Sequence, residues 1–114
     1  MVIKQFEEIS SWQKGKELTL LIYSFFENSK DYSFRDQIQR ASVSIMNNIA
    51  EGFERKGNKE FKQFLFIAKG SSAEVRSMLY IAIERKFITQ KQFDEAYNLS
   101  IEISKLLSGL IKTL

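Results

Sequence analysis

Apolar residues recur every three or four positions along this chain, and the rhythm breaks in three places. That spacing predicts four amphipathic helices. The first should run from about Ser11 to Asn28, with Trp12, Leu18, Ile22 and Phe25 on one side. Ser10 and Gln13 are spaced as a capping box at its start. The turn formers NSKDYS, Asn28 to Ser33, end it. A second helix is expected from about Phe34 to Gly52, capped by Ser33. After a break centred on Lys56-Gly57-Asn58, Asn58 should cap a third helix that reaches about Lys86. At about 28 residues it would be about 40 Å long. Thr89 and Gln92 form another capping box, opening a fourth helix with the stripe Phe93, Ala96, Leu99, Ile103, Leu106/Leu107 and Leu110.

Short connections make sequential helices antiparallel neighbours. The expected fold is therefore all-α: an antiparallel up-down-up-down four-helix bundle, with one domain over residues 1–114. Composition agrees. Apolar residues are 44% of the chain and ten residues are Phe, enough for a core. There is no proline and only five glycines, whereas a β-rich fold needs many turns.

The second helix carries two faces. At about 100° per residue, Phe34, Ile38, Ala41, Ile45, Ile49 and Gly52 form a core stripe. Roughly 100° away lie Gln37, Arg40, Ser44, Asn48, Glu51 and Arg55. A solvated face would explain that second row. The fourth helix, however, turns Lys91, Glu95, Glu102, Lys105 and Lys112 outward, so the chain uses long charged residues where it meets water. Ser42, Ser44, Asn47 and Asn48 are poor helix formers that cost a few tenths of a kcal/mol each, and they suit a packed polar surface better.

The third helix repeats the arrangement. Phe61, Leu65, Ala68, Ser72, Val75 and Leu79 form its core stripe, with Glu60, Phe64, Ile67, Ser71 and Glu74 beside it. Another side holds Lys62, Phe66, Lys69, Ala73, Arg76 and Tyr80. A helix apolar on more than one side needs more than one partner. In a lone bundle Phe64, Phe66, Ile67 and Tyr80 would stay partly exposed, and Gly70-Ser71-Ser72 would let another backbone come close. Self-association through the second and third helices is the expectation. Its interface would include Gln37, Arg40, Ser44, Asn48, Glu51, Arg55, Glu60, Phe64, Ile67, Ser71 and Glu74.

The run from Gln37 to Glu74 resembles the rRNA intervening-sequence protein family, a family of four-helix bundles. Its hallmark is matched by Gln37, Arg40, Ala41, Ser44, Ile45, Asn48, Ile49, Ala50, Glu51, Gly52 and Arg55. The following pattern is matched by Glu60, Phe61, Phe64, Leu65, Ala68, Gly70, Ser71 and Glu74, and an early Trp-Gln by Trp12-Gln13. The resemblance covers the chain from Phe6 and is densest between residues 37 and 74. It implies an antiparallel bundle that assembles as a ring-shaped homopentamer, and it brings no established biochemical activity. Related accessory proteins of diversity-generating retroelements are also pentameric bundles, with more basic surfaces, and bind nucleic acid and a reverse transcriptase. Gln39, Met46, Gly15 and Glu54 depart from common family residues (Arg, Pro, Ala and Gly), and Gln39 and Glu54 lower the positive charge near the hallmark.

Three function classes remain to be weighed. Catalysis has the least support. There is no histidine and no cysteine, so the usual general base, thiolate ligands and disulfides are absent. Glu51 and Glu60 can approach across the second break, but salt bridges to Arg40 or Arg55 explain them more simply. Ser44 and Ser71 lack an activating base. No cofactor and no metal is expected. Nucleic-acid binding, to RNA above all, is the specific alternative. Arg55, Lys56, Lys59 and Lys62 cluster at the second break, Lys69 and Arg76 follow, and oligomerisation would multiply a weak basic surface. The net charge of +3 is only mildly basic. The third class, a non-enzymatic assembly or adaptor protein that presents a ring to an unidentified protein partner, best fits the polar faces. The start MVIKQFEE does not read as a signal peptide, and no uncharged run approaches the roughly 18 residues of a span. A cytoplasmic protein with no membrane partner is the expectation.

Overall fold

The computed structural model describes residues 2–114. A 3-10 turn at Phe6–Glu8 leads into α1 (Ser10–Phe26), α2 (Tyr32–Phe53), α3 (Asn58–Glu84) and α4 (Gln90–Lys112). The sequence breaks fall where the chain turns. α1 stops at Phe26, two residues before the expected end. α3 is the longest helix at 27 residues, and it sets the 43 Å long axis of the molecule.

Each helix packs on its neighbours in sequence, and α1 closes the square against α4. α1 and α3 sit at diagonal corners, as do α2 and α4, and among the described residues no Cα atoms come within 8 Å across either diagonal. Cross-helix pairs show every seam to be antiparallel. Phe26 meets Phe34 near the α1–α2 turn, and Gly15 lies against Ile45 and Met46 lower down. Ser44 meets Ser71, and Gly52 meets Phe64. Ser72 meets Ser100, and Tyr80 meets Tyr97. Lys14 reaches Glu102. The fold is the up-down-up-down bundle.

The core follows the expected stripes. Leu18, Ile22, Ile38, Ile45, Ile49, Leu65, Leu79, Ile103 and Leu107 are fully buried. Each contributes about 1.5–3 kcal/mol of hydrophobic stabilisation. On α1 the sealed aromatic is Phe26, while Phe25 is half-buried. Phe26, Phe34 and Phe87 close one end of the bundle with ring centroids 5.4–5.8 Å apart. Phe53 and Phe61 pack edge to face at the other end.

Hydroxyl groups line the seams. The Thr19 hydroxyl lies 2.8 Å from the Gly15 carbonyl and 3.1 Å from the Ser42 carbonyl, one on its own helix and one across the seam. Ser42 is wholly buried and donates to the Gln39 carbonyl at 2.8 Å. Ser72, buried in α3, donates to the Ser100 carbonyl at 2.9 Å. A short side chain that satisfies its own hydroxyl lets two helix backbones draw close. The serines that look misplaced in the helices are seam residues.

Three of the four expected caps differ. The Thr89–Gln92 box forms in both directions. At α2 the cap is Asp31, which accepts from the Phe34 amide at 3.1 Å, so Ser33 is already helical. At α3 the cap is Gly57, at φ 85° and ψ 158°, a region essentially reserved for glycine, and Asn58 is the first helical residue. At α1 the cap position is Ile9 with no side-chain bond, and Gln13 instead donates to the Glu7 carbonyl at 2.8 Å. α3 ends in a Schellman turn. The Phe87 amide bonds the Ala82 carbonyl, the Lys86 amide bonds the Ile83 carbonyl, and Lys86 takes the left-handed position at φ 60°.

Candidate functional site

The polar row of α2 faces α3 within the chain, and its members divide into paired and unpaired. Ser44 and Ser71 share a hydrogen bond of 2.9 Å across the seam. One turn on, the Asn48 amide donates to the Ser44 carbonyl at 2.7 Å and to its hydroxyl at 2.9 Å. Gln37 donates to the Glu74 carboxylate at 3.4 Å. At the far end Arg55 pairs with Glu51 at 2.7 Å, and its guanidinium lies 5.0 Å over the Phe64 ring. Gly52 is the reason Phe64 fits. A Cβ on Gly52 would stand 2.5 Å from the Phe64 Cβ and 3.1 Å from Phe61. Much of the row of short residues therefore serves contact between α2 and α3.

What is left over faces outward. Arg40 is exposed and, among the described residues, forms no salt bridge; Glu60 is likewise exposed and unpaired. Arg40 stands in an open groove of about 760 Å³ that runs along α2 toward α3, with Gln37, Asn47, Asn48 and Glu74 in its walls. Beside that groove, on the outer face of α3, Phe66, Ile67 and Ile81 are 54%, 53% and 51% exposed. Gly70 lies between them in the middle of α3, and nothing stands within 4 Å of where its Cβ would be. Phe64, expected to be partly exposed, is half-buried over Gly52.

The catalytic pair considered from sequence does not take a special form. Glu51 is held by Arg55 at 2.7 Å in an exposed salt bridge, worth about 0.3–0.5 kcal/mol. Glu60 stands in the first turn of α3, where a carboxylate complements the helix dipole. Among the described residues no three carboxylates gather as a metal site. No helix among them is long and apolar enough to cross a membrane.

The basic candidates separate into two places. Lys56 and Lys59 lie exposed about the α2–α3 turn, near Arg55. Lys62, Lys69 and Arg76 run up the other edge of α3, toward α4. There Arg76 donates to the Ser104 hydroxyl at 3.0 Å, and Lys69 lines a recess together with Lys105 and Lys112 of α4. Sequence spacing put those two α4 lysines on an outward face but could not place them opposite Lys69. That takes the α3–α4 register, which the Ser72–Ser100 bond reveals.

Comparison with known proteins agrees with the fold. The family model for the 23S rRNA-intervening sequence protein matches residues 7–109. A crystal structure of a protein of unknown function from the S23 ribosomal protein family of Bacteroides thetaiotaomicron VPI-5482 superposes with a TM-score of 0.83 at 31% identity. The match covers 90% of this chain and 98% of that one. No curated protein matches.

Proposed function

This chain belongs to the 23S rRNA-intervening sequence protein family, and from that premise we propose that it works by assembly. It is a non-enzymatic helical bundle that binds copies of itself and presents the resulting ring, five-membered as the resemblance implies, to a protein partner in the cytoplasm. Gly70 carries the reading. A glycine in a helix interior costs about 1 kcal/mol relative to alanine. Nothing among the described residues approaches closely enough to need its missing side chain. Gly70 stands among exposed Phe66, Ile67 and Ile81, an apolar face that a second copy would cover. Arg40 on α2 and Glu60 on α3, both without a salt bridge among the described residues, supply charges of opposite sign for a contact between copies.

Sedimentation velocity on three variants tests this. Gly70→Leu fills open space and should leave the bundle folded while blocking close approach. Arg40→Ala removes the unpaired cation, and Lys91→Ala is the control on the exposed face of α4. Assembly through this face predicts smaller species for the first two and none for the third. Three variants that sediment like the parent would refute it.

A further inference from the structure

We infer that the groove between α3 and α4 is a binding site for single-stranded nucleic acid, whose phosphates the lysines hold and whose bases stack at its upper end. α3 presents Lys62, Lys69 and Arg76 along this edge at seven-residue intervals, and α4 presents Lys105 and Lys112 with the same interval. The helices run antiparallel, with Ser72 against Ser100 and Ser104. That register sets Lys105 near Lys69 and Lys112 near Lys62. Lys69, Lys105 and Lys112 line one recess of about 410 Å³, with the Ser104 and Ser108 side chains in its wall. Gly109 completes the wall, and nothing stands within 4 Å of where its Cβ would be, so a bulky phosphate meets bare backbone there.

None of these five cations forms a salt bridge among the described residues. Two of the three α4 carboxylates are engaged elsewhere, and Glu95 stands before Tyr97, past the end of the cationic track. Glu102 reaches Lys14 of α1, and Asp94, past Tyr97, accepts from Gln90 at 2.9 Å. Glu60 and Glu74 are on the α2 side of α3, where Glu74 takes the Gln37 amide. From Lys62 to Arg76 the cationic track is about 21 Å long at 1.5 Å per residue. Beyond Arg76 comes an aromatic cluster. Tyr80, 49% exposed, packs edge-on against Phe93 and Tyr97, which stack on each other at 5.4 Å. A track of uncompensated cations that ends in an exposed aromatic platform is the combination that single strands use: electrostatics for the backbone, stacking for the bases. An acidic peptide could use the cations but would leave the platform idle.

The site lies on the α4-facing edge of α3, adjoins the face proposed for self-association at Phe66, and does not rest on that proposal. The test is fluorescence anisotropy with a labelled uridine oligonucleotide of about 15 nucleotides, repeated with the matching DNA. Five neutralised phosphates predict a log–log salt slope of about −3.5, or roughly a hundredfold loss between about 50 and 200 mM salt. Lys69→Gln with Lys105→Gln should bring the slope to about −2. Lys16→Gln with Lys91→Gln should leave it unchanged. Tyr80→Ala should weaken binding at least about fivefold, with Tyr80→Phe restoring it. Equal binding of RNA and DNA supports backbone reading, and an RNA preference supports it with added contact to the sugar. Circular dichroism and sedimentation on each variant separate lost binding from lost fold or lost assembly. Absence of salt-dependent binding, an undiminished groove double variant, or polyglutamate competing as well as the oligonucleotide would each overturn the inference.

Discussion

Ser44 of α2 and Ser71 of α3 sit 2.9 Å apart, hydroxyl to hydroxyl, at the middle of the seam that joins the two helices. The Ser44 oxygen also takes the Asn48 amide, so one small side chain serves two partners. Replacing Ser44 by Ala leaves both partners short of a bond in a partly buried place. Chemical denaturation of Ser44→Ala should show a loss of about 1 kcal/mol. The double variant with Ser71→Ala should lose less than the sum of the two single changes, because the second removes a group already orphaned by the first.

Gly52 and Gly109 make opposite predictions from the same substitution. A methyl at Gly52 would collide with the Cβ of Phe64, which cannot swing away as a side-chain tip could. Gly52→Ala should destabilise the bundle by about 1–3 kcal/mol, measured by urea unfolding. At Gly109 the methyl meets open space, and the gain in helix propensity is worth up to about 1 kcal/mol.

The hydroxyl of Ser11 is buried beneath the start of α1 and has no hydrogen-bond partner among the described residues. A buried donor without an acceptor is a cost. Ser11→Ala should raise the thermal midpoint, with a gain of up to about 1 kcal/mol.

Tyr80 donates its hydroxyl proton to Tyr97 at 3.3 Å. Ionisation would end that donation, so its pKa lies above the ordinary 10.0; partial burial adds to the rise and Arg76 opposes it. The folded state thus holds this proton more tightly than the unfolded chain. The contribution to stability is present below pH 10.0 and fades as pH climbs through the raised value. Ultraviolet titration should find one tyrosine ionising above the ordinary 10.0. Tyr97→Phe should lower that value, since the main cause of the rise is removed while Arg76 remains.

The helices and the core were legible because each core stripe keeps one period over several turns. Ile38, Ala41, Ile45 and Ile49 can share only one side of a helix, and all four are buried. Caps were less legible, since several candidates stand within three residues of each other. Asp31 outcompetes Ser33, and Gly57 supplies a backbone angle that Asn58 would adopt only under strain. The polar row of α2 could be seen, but its partners could not. Ser44 finds Ser71 inside the chain, while Arg40 forms no salt bridge among the described residues, and only the seam geometry separates the two. The α3–α4 groove was half visible for the same reason. Lys62, Lys69 and Arg76 share an edge by spacing, whereas Lys105 and Lys112 join them through a register that no single helix encodes.

Self-association is the central claim, and the most direct measurement is the mass of the parent chain in solution. Multi-angle light scattering at micromolar concentration should give the mass of five chains of 13.3 kDa, about 67 kDa. A single species of 13.3 kDa under those conditions would contradict it.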